Sequence, residues 1–74
     1  MKLTINTDGG ARGNPGPAAI GIVIRNSKGE VIFELGKYIG ETTNNDAEYS
    51  ALVEGLIYAK EKGGKVITTA APEK

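Results

Sequence analysis

Seventy-four residues with nine basic and nine acidic side chains, no cysteine and no histidine make one small domain or part of one. A chain of this length buries only about 60% of its unfolded surface, so the fold it makes is marginal. Without Cys or His no zinc-type centre can form, and any metal must be held by oxygen, which favours Mg²⁺, Mn²⁺ or Ca²⁺.

The cancelling charges are unevenly spread. Residues 1–26 carry Lys2, Arg12 and Arg25 against Asp8 alone, whereas residues 28–62 are rich in Asp and Glu. That is too weak a basic footprint to announce a nucleic-acid binder on charge alone. No apolar run approaches membrane-spanning length and no signal peptide is visible, so a cytoplasmic protein without a membrane partner is expected.

Lys2–Thr7 alternates, with Leu3 and Ile5 on one face and Thr4 and Asn6 on the other, which predicts a strand ended by Asp8-Gly9-Gly10. Residues 9–17 are a loop rich in glycine and proline. Ala18–Asn26 is a second strand, apolar on both faces and therefore central. Asn26-Ser27-Lys28-Gly29 has the pattern of a turn, leading into a third strand over Glu30–Ile39.

A helix follows over residues 44–62. Thr43 is its N-cap, with Asp46 as capping-box partner. Tyr49, Leu52, Val53, Leu56 and Ala59 recur at helical spacing and form the expected apolar stripe. Gly55 costs about 1 kcal/mol against Ala unless its missing side chain lets the helix approach a sheet closely. Gly63-Gly64 stops the helix, Lys65–Thr69 is a short fourth strand, and residues 70–74 are a tail after a partial domain over 1–69. The crossover rule makes that fourth strand parallel to one of the first three.

Taken singly, the polar residues say little. Asp before Gly-Gly is a turn signal, and Glu48 in the opening turns of a helix is favoured by the dipole. The loop 9–16 has glycines whose backbone N–H groups suit an anion, but it lacks both nucleotide-binding glycine motifs. If the first strand lies beneath the helix, however, Asp8 and Glu48 become facing carboxylates with no cation between them, an arrangement that suits a divalent metal.

Together the pieces are specific. Thr7-Asp8-Gly9-Gly10-Ala11-Arg12-Gly13-Asn14-Pro15-Gly16-Pro17, then Thr42-Thr43-Asn44-Asn45 with Glu48, closely resembles type 1 ribonuclease H over residues 3–69, the first half of that family's domain. The resemblance implies an α/β fold, a ribonuclease H-like mixed sheet truncated to β-β-β-α-β. It also implies a divalent-metal nuclease that cleaves the RNA strand of an RNA–DNA hybrid. Carried onto this chain, Asp8 and Glu48 are the catalytic, metal-binding carboxylates for Mg²⁺ or Mn²⁺. Gly9, Gly10, Arg12, Asn14, Asn44 and Asn45 are the substrate-binding residues, the amides reading 2′-hydroxyls as both donor and acceptor.

The chain departs from the family at the third carboxylate. Where the family has an Asp-Ser pair after the fourth strand, this sequence has Ala70 and Ala71, and the fourth carboxylate lies beyond Lys74. Weak or absent cleavage is therefore expected. Two other readings stay open: a non-catalytic module for hybrid or double-stranded RNA, and a self-associating fragment. An open fourth-strand edge and a two-sided apolar second strand point to a homodimer, joined through the sheet face or the edges.

Overall fold

The computed structural model describes residues 2–70, with side chains through Lys65. Strand β1 spans Lys2–Ala11, β2 Gly16–Arg25 and β3 Val31–Thr42; helix α1 spans Asn44–Glu61 and strand β4 Val66–Ala70. One sheet holds all four strands in the order β3-β2-β1-β4. β2 pairs antiparallel with both β1 and β3, while β4 lies parallel to β1. This is the expected β-β-β-α-β mixed sheet, with the crossover strand parallel as required.

Helix α1 packs across β1 and β2. Its buried residues are Ala47, Ala51, Gly55 and Ala59, spaced four apart, and they meet Leu3, Ile5, Ile20, Ile22 and Ile24 from the sheet. Of the expected stripe Ala59 is buried and Leu52 half-buried, but Tyr49 is 70% exposed and Val53 and Leu56 also face outward, as does Ile57. The reason is distance. A Cβ placed on Gly55 would lie 2.9 Å from Ile5 Cγ2 and 3.2 Å from Thr7 Cγ2, so the sheet accepts small residues and leaves the large ones outside. Gly55 therefore has the close-approach role that its sequence position allowed.

The strands also run longer than expected. Asp8-Gly9-Gly10 does not end β1. Those residues pair with Gly21, Ile20 and Ala19, so Asp8 sits well inside the strand. The ladder with β2 outweighs the local turn preference of Asp-Gly-Gly by pairing the backbone of these residues on that side. β4 extends through Ala70; the rest of the expected tail, residues 71–74, lies outside the described residues.

The β2–β3 connection is a tight turn. Gly29 N–H donates to the Asn26 carbonyl (3.0 Å), and Lys28 N–H to Asn26 Oδ1 (2.9 Å). On the helix side of β3, Lys37 Nζ donates to Glu54 Oε1 at 2.7 Å, the one ion pair among the described residues. That hydrogen bond holds the Lys37 ammonium above the ordinary lysine pKa. At this exposure the pair contributes little to stability. No helix is long and apolar enough to cross a membrane, among the described residues.

Candidate functional site

The site begins with a close backbone contact. A Cβ on Gly9 would run into the Ala47 carbonyl and lie 2.8 Å from Glu48 N, so only glycine lets the first turns of α1 rest directly on β1. Contact between the backbones of Gly9 and Ala47–Glu48 places Glu48 beside the strand position next to Asp8.

The two side chains start from different sides of that strand. Leu3 and Ile5 are buried beneath the helix, Thr7 touches the Gly55 position and Gly9 meets Ala47, so the odd residues of β1 face α1. By alternation Asp8 faces the open side of the sheet, where it lines a cleft of about 510 Å³ with Asn6, Arg25, Glu34 and the glycines 21 and 36. The β1–β4 ladder ends at the Asn6–Ala70 pair. Past that pair the β1 edge carries no strand among the described residues, and the expected facing arrangement is not met: strand alternation turns Asp8 away from the helix that carries Glu48. Both are exposed, and neither accepts a hydrogen bond or an ion pair among the described residues. No group of three or more His, Cys, Asp or Glu residues that could hold a metal gathers among the described residues.

Hydrogen bonds tie the β1–β2 loop to the helix start. Ala11 N–H donates to Asn44 Oδ1 at 2.7 Å, and Asn44 N–H donates to Asn14 Oδ1 at 3.1 Å. Arg12 N–H donates to the Pro17 carbonyl at 2.8 Å, closing the loop's base while the Arg12 side chain stays exposed. Thr43 caps α1 as expected, its Oγ1 accepting from Asp46 N–H at 3.2 Å. The reciprocal half of the capping box is absent: the Asp46 carboxylate accepts instead from Thr42 Oγ1 at 3.0 Å. Asn45 is exposed and makes no side-chain hydrogen bond among the described residues.

Gly9, Gly10, Arg12, Asn14, Asn44 and Asn45 therefore cluster where the loop meets the helix, with Glu48 at the next turn. Sequence reasoning missed Arg25, whose Nη1 donates to Asn6 Oδ1 at 2.9 Å inside the Asp8 cleft. Its signal was present in the strand alternation, which puts Asn6, Asp8 and Arg25 on one face. Of the Ala70-Ala71 pair, Ala70 ends β4 and Ala71 lies outside the described residues.

The fold recurs among known proteins. The family model described as "Reverse transcriptase-like" matches residues 6–70. A ribonuclease HI of Halobacterium salinarum is 50% identical over 56 residues, which are 76% of this chain and 28% of that protein. The crystal structure of RNase H1 from the same archaeon superposes with a TM-score of 0.93 at 39% identity, over 100% of this chain and 56% of that one. LC11-RNase H1, isolated from compost and solved in complex with RNA/DNA hybrid, matches at TM-score 0.85 and 47% identity, over 97% of this chain and 55% of that one. This chain thus spans little more than half of the solved relatives and less of the curated one. With the family model covering most of its length and the fold matching throughout, the chain belongs to the type 1 ribonuclease H family and corresponds to the N-terminal part of that domain.

Proposed function

We propose that this chain binds RNA–DNA hybrid at the junction of the β1–β2 loop and the start of α1, with Asp8 and Glu48 holding a divalent ion against the strand backbone. One observation supports the reading: the side-chain-free contact of Gly9 with Ala47–Glu48, which sets the backbone of Glu48 against the strand residue next to Asp8. The exposed Arg12 and the amides of Asn14, Asn44 and Asn45 stand beside that contact, with the donors a nucleic-acid strand requires. LC11-RNase H1, a relative of the same fold, is known with RNA/DNA hybrid bound.

Asp8 and Glu48 fit Mg²⁺ or Mn²⁺ by chemistry, since both are exposed oxygen donors and the chain has neither Cys nor His. When bound, such an ion supplies Lewis-acid activation of water and of the phosphodiester. The protein's part is to fix the strand: Arg12 neutralises a phosphate, and the amides orient the sugar and base edges. Because Ala70 stands where the family resemblance implies the third carboxylate, hydrolysis is weak or absent and binding is the dominant activity. Alanine at the end of β4, where the family resemblance implies a carboxylate, favours the second reading, a non-catalytic hybrid-binding module. The chain acts in the cytoplasm, and it pairs with a second copy of itself; the outward Tyr49, Val53, Leu56 and Ile57 support the pairing.

Cleavage of a labelled hybrid in Mg²⁺ and in Mn²⁺, beside a gel shift in EDTA, separates the readings. The expected outcome is a shift with little or no cleavage. Robust cleavage abolished by Asp8→Asn would overturn the weak-activity part and would require another source for the missing ligands.

A further inference from the structure

We infer that two copies of this chain pair through the outer face of α1 in one fixed register, and that the pair holds a single duplex across both loop–helix junctions. The inference rests on the hybrid-binding and self-pairing readings above and adds the register and the shared ligand. Opposite the buried Ala47, Ala51, Gly55 and Ala59, the outward stripe of α1 carries Asp46, Tyr49, Val53, Leu56, Ile57 and Lys60. That stripe is symmetric about Val53. Asp46 and Lys60 lie seven residues to either side of it, Tyr49 and Ile57 four, and Ser50 and Leu56 three. An antiparallel copy with Val53 on the two-fold therefore lays Tyr49 on Ile57, Leu56 on the small Ser50, and Asp46 against Lys60. The apolar pairs and the charge pair demand the same register independently. A parallel pair would set Asp46 on Asp46 and Lys60 on Lys60, which like charges oppose. Lys60 has no ion pair among the described residues, and Asp46 is bonded only through Oδ2, to Thr42, so both ends are open to the second copy.

The register decides where the two junctions lie. A two-fold that reverses one helix against the other runs crosswise between them, so a feature on one flank of α1 recurs on the same flank of the second copy. The junction is on the β1 flank, where Gly9 meets Ala47 and Ala11 donates to Asn44. Glu54 and Lys37 mark the opposite flank, toward β3. Both junctions therefore open along one side of the pair. Their Asn44 positions stand about 27 Å apart along the helices, at ~1.5 Å per residue. That is about eight base pairs at ~3.4 Å each, so one duplex reaches both. The two-fold exchanges the strands of that duplex. One copy meets the RNA strand of a hybrid, and the other meets DNA, where the phosphate contact of Arg12 remains. Two-point attachment supplies the affinity that the weak basic footprint of a single chain lacks.

The chain has no cysteine, so introduced thiols report the register without background. Under oxidation at micromolar concentration, Tyr49→Cys mixed with Ile57→Cys should give a disulfide-linked dimer, while neither variant alone does. Cross-linking of either variant with itself, or none in the mixture, would overturn the register. For the shared duplex, anisotropy compares a hybrid of about 6 base pairs, closed as a hairpin and too short to span both junctions, with one of about 20. Leu56→Asp should bind the short hybrid as the unaltered chain does and lose about 10-fold or more on the long one. The short hybrid also controls for repulsion by the new charge. Unchanged affinity for the long hybrid, or equal losses at both lengths, would overturn the shared site. An unaltered chain that binds neither length would instead overturn the hybrid-binding reading beneath it.

Discussion

Gly9 decides more about the candidate site than either carboxylate. Its Cβ would collide with the backbone of Ala47 and Glu48, atoms that no rotamer change can move. Gly9→Ala is therefore expected to cost at or above the top of the usual range of about 1–3 kcal/mol for overpacking, a large part of a small domain's stability, as read from urea denaturation. The residues of the site were legible in sequence because Asp8, Asn14, Asn44, Asn45 and Glu48 stand in a family-specific pattern. Their internal bonding was not legible. Nothing in the spacing says that the Asn14 and Asn44 oxygens accept from backbone N–H groups, since that depends on how the loop folds against the helix. For the carboxylates, the expected outcome of calorimetric titration with Mn²⁺ is a single weak site. Asp8→Asn and Glu48→Gln should each abolish it, and binding that survives both changes would place the ion elsewhere.

At the scale of elements, helix α1 shows where pattern reading fails. Its large apolar residues are the strongest periodic signal in the sequence, yet the sheet takes Ala47, Ala51, Gly55 and Ala59. Helical periodicity finds an apolar face but does not report how near the partner surface lies, and here the partner is close enough to crowd even a methyl group at Gly55. The strands were found, and their ends were misjudged, because Asp8-Gly9-Gly10 reads locally as a turn while the β1–β2 ladder runs on to the Ala11–Ala18 pair. Gly55→Ala tests the close approach. Helix propensity gains about 1 kcal/mol from the change, and the crowding of Ile5 and Thr7 costs about 1–3 kcal/mol. A melting temperature that is unchanged or lower is expected; a clear rise would mean that the helix has slack above β1.

For the whole molecule, the outer face of α1 matters most. Tyr49 is 70% and Ile57 53% exposed, with Val53 and Leu56 between them, a continuous apolar strip on a chain with little core to spare. Removing such a strip from water is worth on the order of 25 cal/mol per Å². Two antiparallel copies of α1 would also set Asp46, in the first helical turn, toward Lys60 of the second copy, in the last. Sedimentation equilibrium at micromolar concentration is expected to give a dimer that Leu56→Asp converts to monomer. A monomeric mass for the unaltered chain would remove the homodimer from the account.

The central claim is that the loop–helix junction holds an RNA–DNA hybrid, and one titration addresses it directly. Fluorescence anisotropy of a labelled hybrid, in Mg²⁺ at moderate salt, is compared with DNA duplex of the same sequence. Preferential binding of the hybrid, lost on Asn14→Ala together with Asn44→Ala, is the result expected. Equal affinity for both duplexes, or none for either, would contradict it.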